Sequence, residues 1–305
     1  MKVAFAGTPD FAATILRGLI SSPHQVGLVI SQPDPRKGRG RKPTPTPVAE
    51  VARSENITLR QPDRISEISD ELSHFDALVV AAYGQILRQD TLYAAKEGAW
   101  NVHASLLPKY RGAAPVERAI MNGESETGVT IMRMDEGLDT GPIALQRSTT
   151  IPTDMTGGEL AGLLADIGTE AIVESLASLE ANDLTLVEQD SLYATYASKV
   201  MDEDKIIKWE RGARAVHDLI RALAPHIGAR TFHTKFEGPI KIWRSRIRDE
   251  AIISPEIGRI NAENGCIVVD CGTGTLEVLD LQIPGGRRLS ARDFLLGNSL
   301  EGAFR

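Results

Sequence analysis

The chain has 305 residues, of which 42% are hydrophobic and 25% charged, and its formal net charge is −7 at pH 7. That length accommodates two ordinary domains, and that composition is typical of a soluble globular protein. No apolar run approaches the roughly 18 residues that span a bilayer, so no membrane segment is expected. The opening MKVAFAGTPDF is soon broken by polar residues, and it predicts a first strand rather than a secretory signal.

The charge is unevenly distributed. Residues 205–305 carry 16 Lys and Arg against 12 Asp and Glu, whereas residues 1–204 carry 18 against 29. A mildly basic C-terminal part permits a polyanionic partner there without requiring one. The two cysteines, Cys266 and Cys271, are too few for a disulfide framework and have no second pair of ligands nearby. A reducing cytoplasm is therefore expected, and a metal site is not.

The first thirty residues predict a βαβ unit. Residues 2–6 and 26–30 are short apolar strands, and residues 11–20 have apolar positions at helical spacing, with Asp10 as the expected N-cap. Strand, helix and strand at this length indicate a parallel sheet. The glycine fingerprint of a dinucleotide site is absent, because GTPD stands in its place, so a hydride-transferring dehydrogenase is disfavoured.

A basic loop lies between residues 32 and 47. It carries five positive charges against one carboxylate within nine residues, is interrupted by glycines and is framed by four prolines. The cations are Arg36, Lys37, Arg39, Arg41 and Lys42. A solvated surface loop is one interpretation, as for most charge runs. The other is a loop that grips phosphates, because Lys and Arg clusters bind nucleic acid through counterion release.

The middle of the chain predicts further sheet strands and covering helices. Residues 76–82 (DALVVAA) are continuously apolar, which is typical of a central parallel strand, and Tyr83-Gly84 closes that strand with a turn. Residues 99–103 are the next predicted strand. The remaining predictions are helices at residues 48–55, 65–72, 113–121 and 156–179, and strands at residues 127–134 and 142–151, the last antiparallel and partly exposed.

Two polar side chains project from the strand at residues 99–103. Strand side chains alternate faces, so Asn101 and His103 point one way while Trp100 and Val102 point the other. The apolar run SLLP follows at residues 105–108, and apolar residues beside a polar pair are typical of a small-molecule pocket. For His103 taken alone, a hydrogen-bonded core histidine is the more frequent case.

A carboxylate is presented downstream by the loop DEGLDTG. Two glycines bracket Asp139, so this tight loop can hold the carboxylate at a fixed angle. An amide, an imidazole and a carboxylate suit acyl transfer, since they can bind an oxyanion, relay a proton and orient the imidazole, respectively. Spacing alone does not bring Asp139 near His103.

The last third of the chain predicts a separate β-rich domain. Residues 185–204 lack a stable period and are expected to form a linker, which Tyr193 and Tyr196 would pin to a domain. A helix at residues 213–223 precedes short strands at residues 229–236, 240–246, 258–261, 267–270 and 275–282. Such strands, separated by Gly, Pro and Asn turns, indicate a small β-barrel. Its candidate phosphate contacts are Arg244, Arg246, Arg248, Arg287 and Arg288, although a single arginine is more often merely solvated.

Several motifs in the same order carry a family resemblance. The run NVHASLLPKYRGAAP followed by TGVTIMRMDEGLDTG resembles the folate-dependent formyltransferases, most closely the members that act on aminoacyl-tRNA. The segments VAFAGTPDFA, SQPDPRKGRGRK, AAYGQIL and SARDF extend the resemblance over essentially the whole chain. It implies an α/β fold with a Rossmann-like, mostly parallel sheet in an N-terminal domain and a small OB-like β-barrel in a C-terminal domain. The expected boundaries are residues 1–184 for the catalytic domain, 185–204 for the linker and 205–305 for a tRNA-binding domain.

The resemblance also implies an activity. The formyl group of 10-formyltetrahydrofolate would pass to the α-amine of methionyl initiator tRNA, for translation initiation, with Asn101, His103 and Asp139 as catalytic residues. The implied folate-pocket residues are Tyr83, Gly84, Ile86, Leu87, Ser105, Leu106, Leu107 and Pro108. The basic loop at residues 36–42 would engage the acceptor stem. No metal is required, and a cytoplasmic monomer is expected.

Two other functions are compatible with part of these features. A formyltransferase that acts on a sugar nucleotide or another small amine would share the three catalytic residues, but it gives no role to the basic loop and the C-terminal barrel. A non-catalytic RNA-binding module would leave the Asn101–His103 pair and Asp139 without a purpose. A formylation assay with alternative amine acceptors separates these functions.

Overall fold

The computed structural model describes residues 1–37 and 42–305, and of Arg36, Lys37 and Lys42 it describes the main chain only. Internal contacts divide the chain into two units. The first comprises residues 1–115, 126–149 and 161–197, and the second comprises residues 116–125, 150–160 and 198–305. The chain therefore passes between the units several times. Among the described helices, none combines the length and apolar character needed to cross a membrane.

The elements are numbered in chain order. The helices are α1 (Asp10–Ile20), α2 (Pro47–Ser54), α3 (Ser69–Leu72), α4 (Gln89–Leu92), α5 (Pro115–Met121), α6 (Gly157–Glu180), α7 (Ala213–Leu223) and α8 (Ala291–Leu295). The strands are β1 (Lys2–Gly7), β2 (Gln25–Ile30), β3 (Arg36–Lys37), β4 (Lys42–Pro43), β5 (Leu59–Arg60), β6 (Ala77–Ala81), β7 (Ala99–His103), β8 (Arg111–Gly112), β9 (Glu126–Arg133), β10 (Ile143–Thr150), β11 (Tyr196–Ala197), β12 (Ala229–Thr231), β13 (Ile240–Asp249), β14 (Ile260–Glu263), β15 (Cys266–Asp270), β16 (Thr275–Gln282) and β17 (Leu289–Ser290).

A seven-stranded sheet forms the framework of the first unit, in the order β10-β9-β7-β6-β1-β2-β5. Strands β1, β2, β5, β6 and β7 pair parallel, whereas β9 pairs antiparallel with β7. Strands β6 and β7 are buried at every position, which explains why their sequences lack polar alternation. The prediction of a mostly parallel sheet is confirmed. Its parallel strands bring the ends of β6 and β7 to the same edge.

Some element boundaries differ from the sequence-based expectations. Pro9 is the N-cap of α1, so Asp10 does not cap the helix but lies in its first turn, where its charge complements the helix dipole. The helix expected at residues 65–72 is a 3₁₀ turn followed by the single-turn helix α3. The strand expected at residues 229–236 ends at Thr231.

Helix α6 is fixed at its start and where it crosses the strand that carries the polar pair. The Thr156 hydroxyl accepts a hydrogen bond from Glu159 N at 3.2 Å, and the Glu159 carboxylate accepts one from Thr156 N at 2.8 Å, so the helix starts in a capping box. Farther along, a Cβ on Gly168 would stand 2.7 Å from Cγ1 of Val102 on β7. A glycine is therefore required at this crossing.

Residues 185–197, most of the expected linker, pack within the first unit and are called the strap here. Strand β11 of the strap pairs parallel with β8, and Val187 forms a bridge with Ile143. Tyr193 and Tyr196, which were expected to pin the segment, are 68% and 67% exposed. The attachment is made instead by the main chain and by polar side chains.

The second unit is built on an antiparallel sheet in the order β12-β13-β16-β15-β14, with β17 beside β16. Helix α7 packs Val216, Ile220 and Leu223 into the apolar core formed with β13, β15 and β16. The prediction of a β-rich C-terminal domain is confirmed.

Residues 302–305 join the two edges of this antiparallel sheet. At the β14 edge, Ile260 N donates to Gly302 O at 2.8 Å and Phe304 N donates to Gly258 O at 2.9 Å. Beyond the end of β12, Arg305 N donates to Phe232 O at 2.9 Å, and Phe232 N donates back to Arg305 O at 3.0 Å. The sheet is thereby closed in the manner of a barrel.

Candidate active site

Strand β7 presents Asn101 and His103 side by side. The two residues are 9% and 5% exposed, and they share a face because they are two positions apart. The neighbouring strands fix their positions: Asn101 is paired with Val80 on β6 and with Met132 on β9. The predicted alternation of β7 therefore holds, with Val102 facing α6 on the opposite side.

Asp139 lies beside both of these side chains. Its Oδ1 accepts a hydrogen bond from Asn101 Nδ2 at 3.4 Å, and its Oδ2 stands 3.7 Å from His103 Nδ1. The carboxylate is oriented by the main-chain N–H of Gly112, which donates to Oδ2 at 2.7 Å. The backbone of Asp139 has a φ of +52°, a conformation that few residues other than glycine adopt. The turn thus brings Asp139 to a pair of residues that lies more than 30 positions earlier in the sequence.

The orientation of the His103 ring is set by a main-chain carbonyl. His103 Nε2 donates to Tyr110 O at 2.9 Å, because a carbonyl oxygen can only accept. In the neutral ring Nδ1 therefore carries the lone pair, and this nitrogen faces the Asp139 carboxylate. Nδ1 is the ring atom available to exchange a proton or bind a developing negative charge.

The apolar turn after β7 is held by two polar side chains. Thr130 Oγ1 donates to Ser105 O at 2.7 Å and accepts from Leu107 N at 3.0 Å. Gln146 Nε2 donates to Leu107 O at 2.8 Å and to Thr130 Oγ1 at 2.9 Å. A Cβ at position 128 would stand 2.6 Å from Leu106 Cδ2, so Gly128 leaves room for this leucine. Ser105, Leu106, Leu107 and Pro108 thus form a braced wall beside the polar pair.

The other predicted pocket residues follow β6. Tyr83 is 2% exposed and packs in the core with Leu87, and burial raises its pKa to about 12, with a smaller contribution from Glu67. Within the described part of the chain its hydroxyl has no hydrogen-bond partner. Gly84 has a φ of +91°, and Ile86 is 89% exposed. Of this group, Gly84 and Ile86 present the accessible surface.

The basic loop is described only in part. Arg39 and Arg41 lie outside the described residues, as do the side chains of Arg36, Lys37 and Lys42. The main chain at Arg36–Lys37 and Lys42–Pro43 forms the two-stranded antiparallel pair β3–β4. The described residues on either side of the loop are therefore paired with each other.

Three of the five candidate phosphate contacts in the second unit are engaged in ion pairs. Arg246 and Arg248 both approach Glu277 Oε2, at 2.6 and 2.8 Å, and Arg288 Nη2 stands 2.7 Å from Asp280 Oδ2. A paired guanidinium offers less charge to a ligand than a solvated one. Arg244 lines a cavity of about 240 Å³ within this unit, alongside His217 and Trp243.

Several residues that support the site have no signal in the sequence. Gln189 on the strap donates to Asp139 O and Gly141 O, and Arg111 donates to Gln189. Thr130 and Gln146 brace the apolar turn, as described above. Such contacts join residues distant in sequence and follow no period, so no local pattern could have indicated them. Among the described residues, no group of three or more His, Cys, Asp or Glu is placed to hold a metal ion.

Family profiles define the class of protein. The profile described as formyl transferase matches residues 1–176, and the profile described as formyl transferase, C-terminal domain, matches residues 199–299. The chain belongs to the formyl transferase family. Residues 177–198, which include the strap, fall between the two matches.

Curated relatives carry a more specific name. Methionyl-tRNA formyltransferase of Rubrobacter xylanophilus is 62% identical over 305 residues, which cover all of both chains. The protein of that name from Pelotomaculum thermopropionicum is 42% identical, with 98% of this chain and 96% of the relative covered. That from Coxiella burnetii strain RSA 331 is also 42% identical, with 97% and 95% covered.

Solved structures share the fold at low identity. An N-formyltransferase from Helicobacter canadensis, in complex with folinic acid and dTDP-3-aminofucose, has a TM-score of 0.69 at 20% identity, covering 95% of this chain and 100% of its own. HypX from Aquifex aeolicus, in complex with tetrahydrofolic acid, has a TM-score of 0.68 at 15% identity, covering 97% and 47%. At these identities the likeness concerns the fold alone.

Proposed function

We propose that the chain transfers the formyl group of 10-formyltetrahydrofolate to the α-amine of methionine esterified to initiator tRNA, for translation initiation. The observation that carries this proposal is the 62% identity, over the full length of both chains, to a relative named methionyl-tRNA formyltransferase. The convergence of Asn101, His103 and Asp139 supports it, because these side chains supply the groups that acyl transfer needs.

In the proposed reaction the neutral amine attacks the formyl carbon. A C–N bond to the amine forms and the formyl oxygen becomes an oxyanion, which then collapses as the bond to N10 of the folate breaks. The amine loses one proton and N10 gains one, so the reaction needs no oxidant or reductant. The enzyme must hold the oxyanion and carry that proton.

Each polar residue has one role in this scheme. Asn101 Nδ2 donates to the oxyanion. His103 also donates when Nδ1 is protonated, with its ring held by the bond from Nε2 to Tyr110 O. Asp139, oriented by Gly112 N, stabilises the imidazolium and accepts the proton of the attacking amine directly or through water.

The substrate-binding roles follow the surfaces around this centre. Ser105, Leu106, Leu107 and Pro108, with the segment from Tyr83 to Leu87, would line the folate site. The cations of the basic loop would engage the acceptor stem through its phosphates.

We further propose a cytoplasmic monomer, in keeping with the free thiols of Cys266 and Cys271. Sedimentation should then give a single species of 33.1 kDa, and a dimer at assay concentrations would refute this state.

The test is a formylation assay with 10-formyltetrahydrofolate and either methionyl initiator tRNA or an amino sugar nucleotide. We expect the tRNA to be formylated and the sugar not. Asp139→Asn and His103→Ala should each lower kcat by about 100-fold or more, because each removes a group that handles the proton. Binding of the tRNA should stay within about twofold.

Asp183→Asn serves as the matched control, since Asp183 is an exposed carboxylate of the same unit. It should leave kcat unchanged. Full activity of Asp139→Asn or His103→Ala would refute the catalytic role assigned to that residue. Formylation of the sugar nucleotide but not of the tRNA would refute the proposal that methionyl initiator tRNA is the acceptor.

A further inference from the structure

We propose that Gln189 of the strap is a positioning residue, which holds the turn carrying Asp139 at the geometry that catalysis requires. The inference rests on the proposed function. Neither family profile covers this residue, because their matches end at residue 176 and resume at residue 199. It therefore adds to the site a residue from the segment between the two family domains.

All four hydrogen-bonding positions of the Gln189 side-chain amide are used. Nε2 donates to Asp139 O at 2.9 Å and to Gly141 O at 2.8 Å. Oε1 accepts from Arg111 Nε at 3.1 Å and from Arg111 Nη2 at 2.7 Å. These partners also fix which end of the amide is which, because carbonyls only accept and a guanidinium only donates.

The two carbonyls lie on the turn that needs support. Asp139 is held at a φ of +52°, in the left-handed region that residues other than glycine adopt only at a cost in free energy. Nε2 ties the carbonyl of Asp139 to that of Gly141, so the turn is clamped around the strained residue. The same turn aims the carboxylate at Gly112 N and toward His103.

Arg111 explains why glutamine suits this position. Arg111 is 3% exposed, so its charge acts on Gln189 with little solvent screening. A cation bonded to Oε1 polarises the amide and strengthens the two N–H donors on the other side. Glutamate would accept from Arg111 equally well but would offer no hydrogen to the carbonyls. The chain of contacts thus runs from Arg111 through Gln189 to Asp139.

The strap holds Gln189 in place from both directions. Val187 exchanges two main-chain bonds with Ile143, at 2.8 and 2.9 Å, and β11 pairs with β8 farther along. Thr195 Oγ1 accepts from Tyr110 N at 2.9 Å. Because these attachments are independent of the Gln189 amide, substitutions at Gln189 test positioning without releasing the strap.

The experiment compares Gln189→Glu and Gln189→Met with wild type. Both should lower kcat about 10- to 100-fold, the range for losing support of a reactive group, while KM for the tRNA and for the folate stays within about twofold. Gln189→Glu keeps the bonds to Arg111, so the variant should still fold, and its thermal midpoint should stay well above the assay temperature. The NMR shifts of the His103 ring nitrogens should move as they do in Asp139→Asn.

Asp190→Ala is the control for general damage to the strap. Asp190 is the residue next to Gln189, and its side chain accepts a hydrogen bond from Leu192 N at 3.0 Å. Removing that side chain should leave kcat at the wild-type value. Wild-type kcat and unchanged His103 shifts in Gln189→Glu would overturn the proposal. So would a loss confined to KM, or an equal loss in Asp190→Ala. If wild type fails to formylate the tRNA, the proposed function fails, while the His103 shifts still test Gln189.

Discussion

At the scale of single residues, the site combines groups that are held in different ways. Asn101 and His103 stand on a strand paired on both sides, whereas Asp139 stands on a turn. A reactive group on a turn needs outside support, because an error of about 1 Å in its position can lower turnover 100-fold. Gly112 N and Gln189 supply that support from two directions.

The two cysteines should differ in reactivity. Cys271 is fully buried, and burial, with a smaller effect of Asp270, raises the pKa of its thiol from an ordinary 9.0 to about 12. Cys266 is only partly buried. At pH 8 a maleimide should modify native protein once and denatured protein twice, with Cys266→Ser abolishing the native reaction. Two equivalents on the native protein would contradict this assignment.

The raised pKa of Cys271 also has a consequence for stability. A folded-state value above the unfolded one means that the folded protein favours the neutral thiol. The contribution to the free energy of unfolding is therefore fully present below about pH 9.0 and is lost as the pH rises toward about 12. This loss of stability occurs at pH values above the physiological range.

At this scale, the sequence predicted contacts between residues close together in the chain and not those between distant residues. The shared face of Asn101 and His103 followed from strand alternation alone. The nearness of Asp139 came from family resemblance, because 35 intervening residues separate it from His103 and no periodicity spans them. Gln189 is 50 residues from Asp139 and stands in a segment without a pattern. Its contacts were beyond any local rule.

At the scale of elements, the packing of α6 on β7 connects the fold to the site. Gly168 allows the helix to approach Val102, which is the residue between Asn101 and His103. Parallel strands, covering helices and the β-rich C-terminal unit were all predictable, because hydrophobic periodicity reports them. The attachment of the strap was not, because it depends on main-chain pairing with β8 that leaves no apolar signature.

Two glycines of α6 should respond in opposite ways to alanine. A Cβ at Gly162 meets nothing within 4 Å, so Gly162→Ala should raise the free energy of unfolding by about 1 kcal/mol through helix propensity. At Gly168 a Cβ would overlap Cγ1 of buried Val102, and overpacking of this kind costs about 1–3 kcal/mol.

Urea unfolding measures both glycine effects. Gly168→Ala should also lower kcat, because it displaces the strand that carries Asn101 and His103, whereas Gly162→Ala should not. Equal stabilisation by the two substitutions would show that α6 and β7 have room between them.

At the scale of the whole molecule, positive charge is concentrated against an acidic background. The basic loop carries five cations within residues 36–42 of a chain whose net charge is −7. Three arginines of the second unit, in contrast, are paired with carboxylates. The loop is therefore expected to make the larger contribution to the salt dependence of tRNA binding.

Replacing Arg39, Arg41 and Lys42 together with Gln should weaken tRNA binding and lower the slope of log K against log salt concentration by about 2. Fluorescence titrations at several salt concentrations measure this slope. The control replaces the exposed Arg17, Arg64 and Lys96, which changes the net charge equally. A slope that falls as much in the control would mean that overall charge, not the loop, governs binding.

The closure of the C-terminal sheet by residues 302–305 bears on how the protein folds during synthesis. Those residues come after every strand that they join, so the edges at Ile260 and Phe232 cannot be linked until residues 302–305 have left the ribosome. Helix α7, the hairpins β14–β15 and β15–β16, and the pairing of β13 with β16 can form earlier. The nascent domain therefore passes through a stage with two unpaired strand edges, during which neighbouring chains or chaperones have access to them.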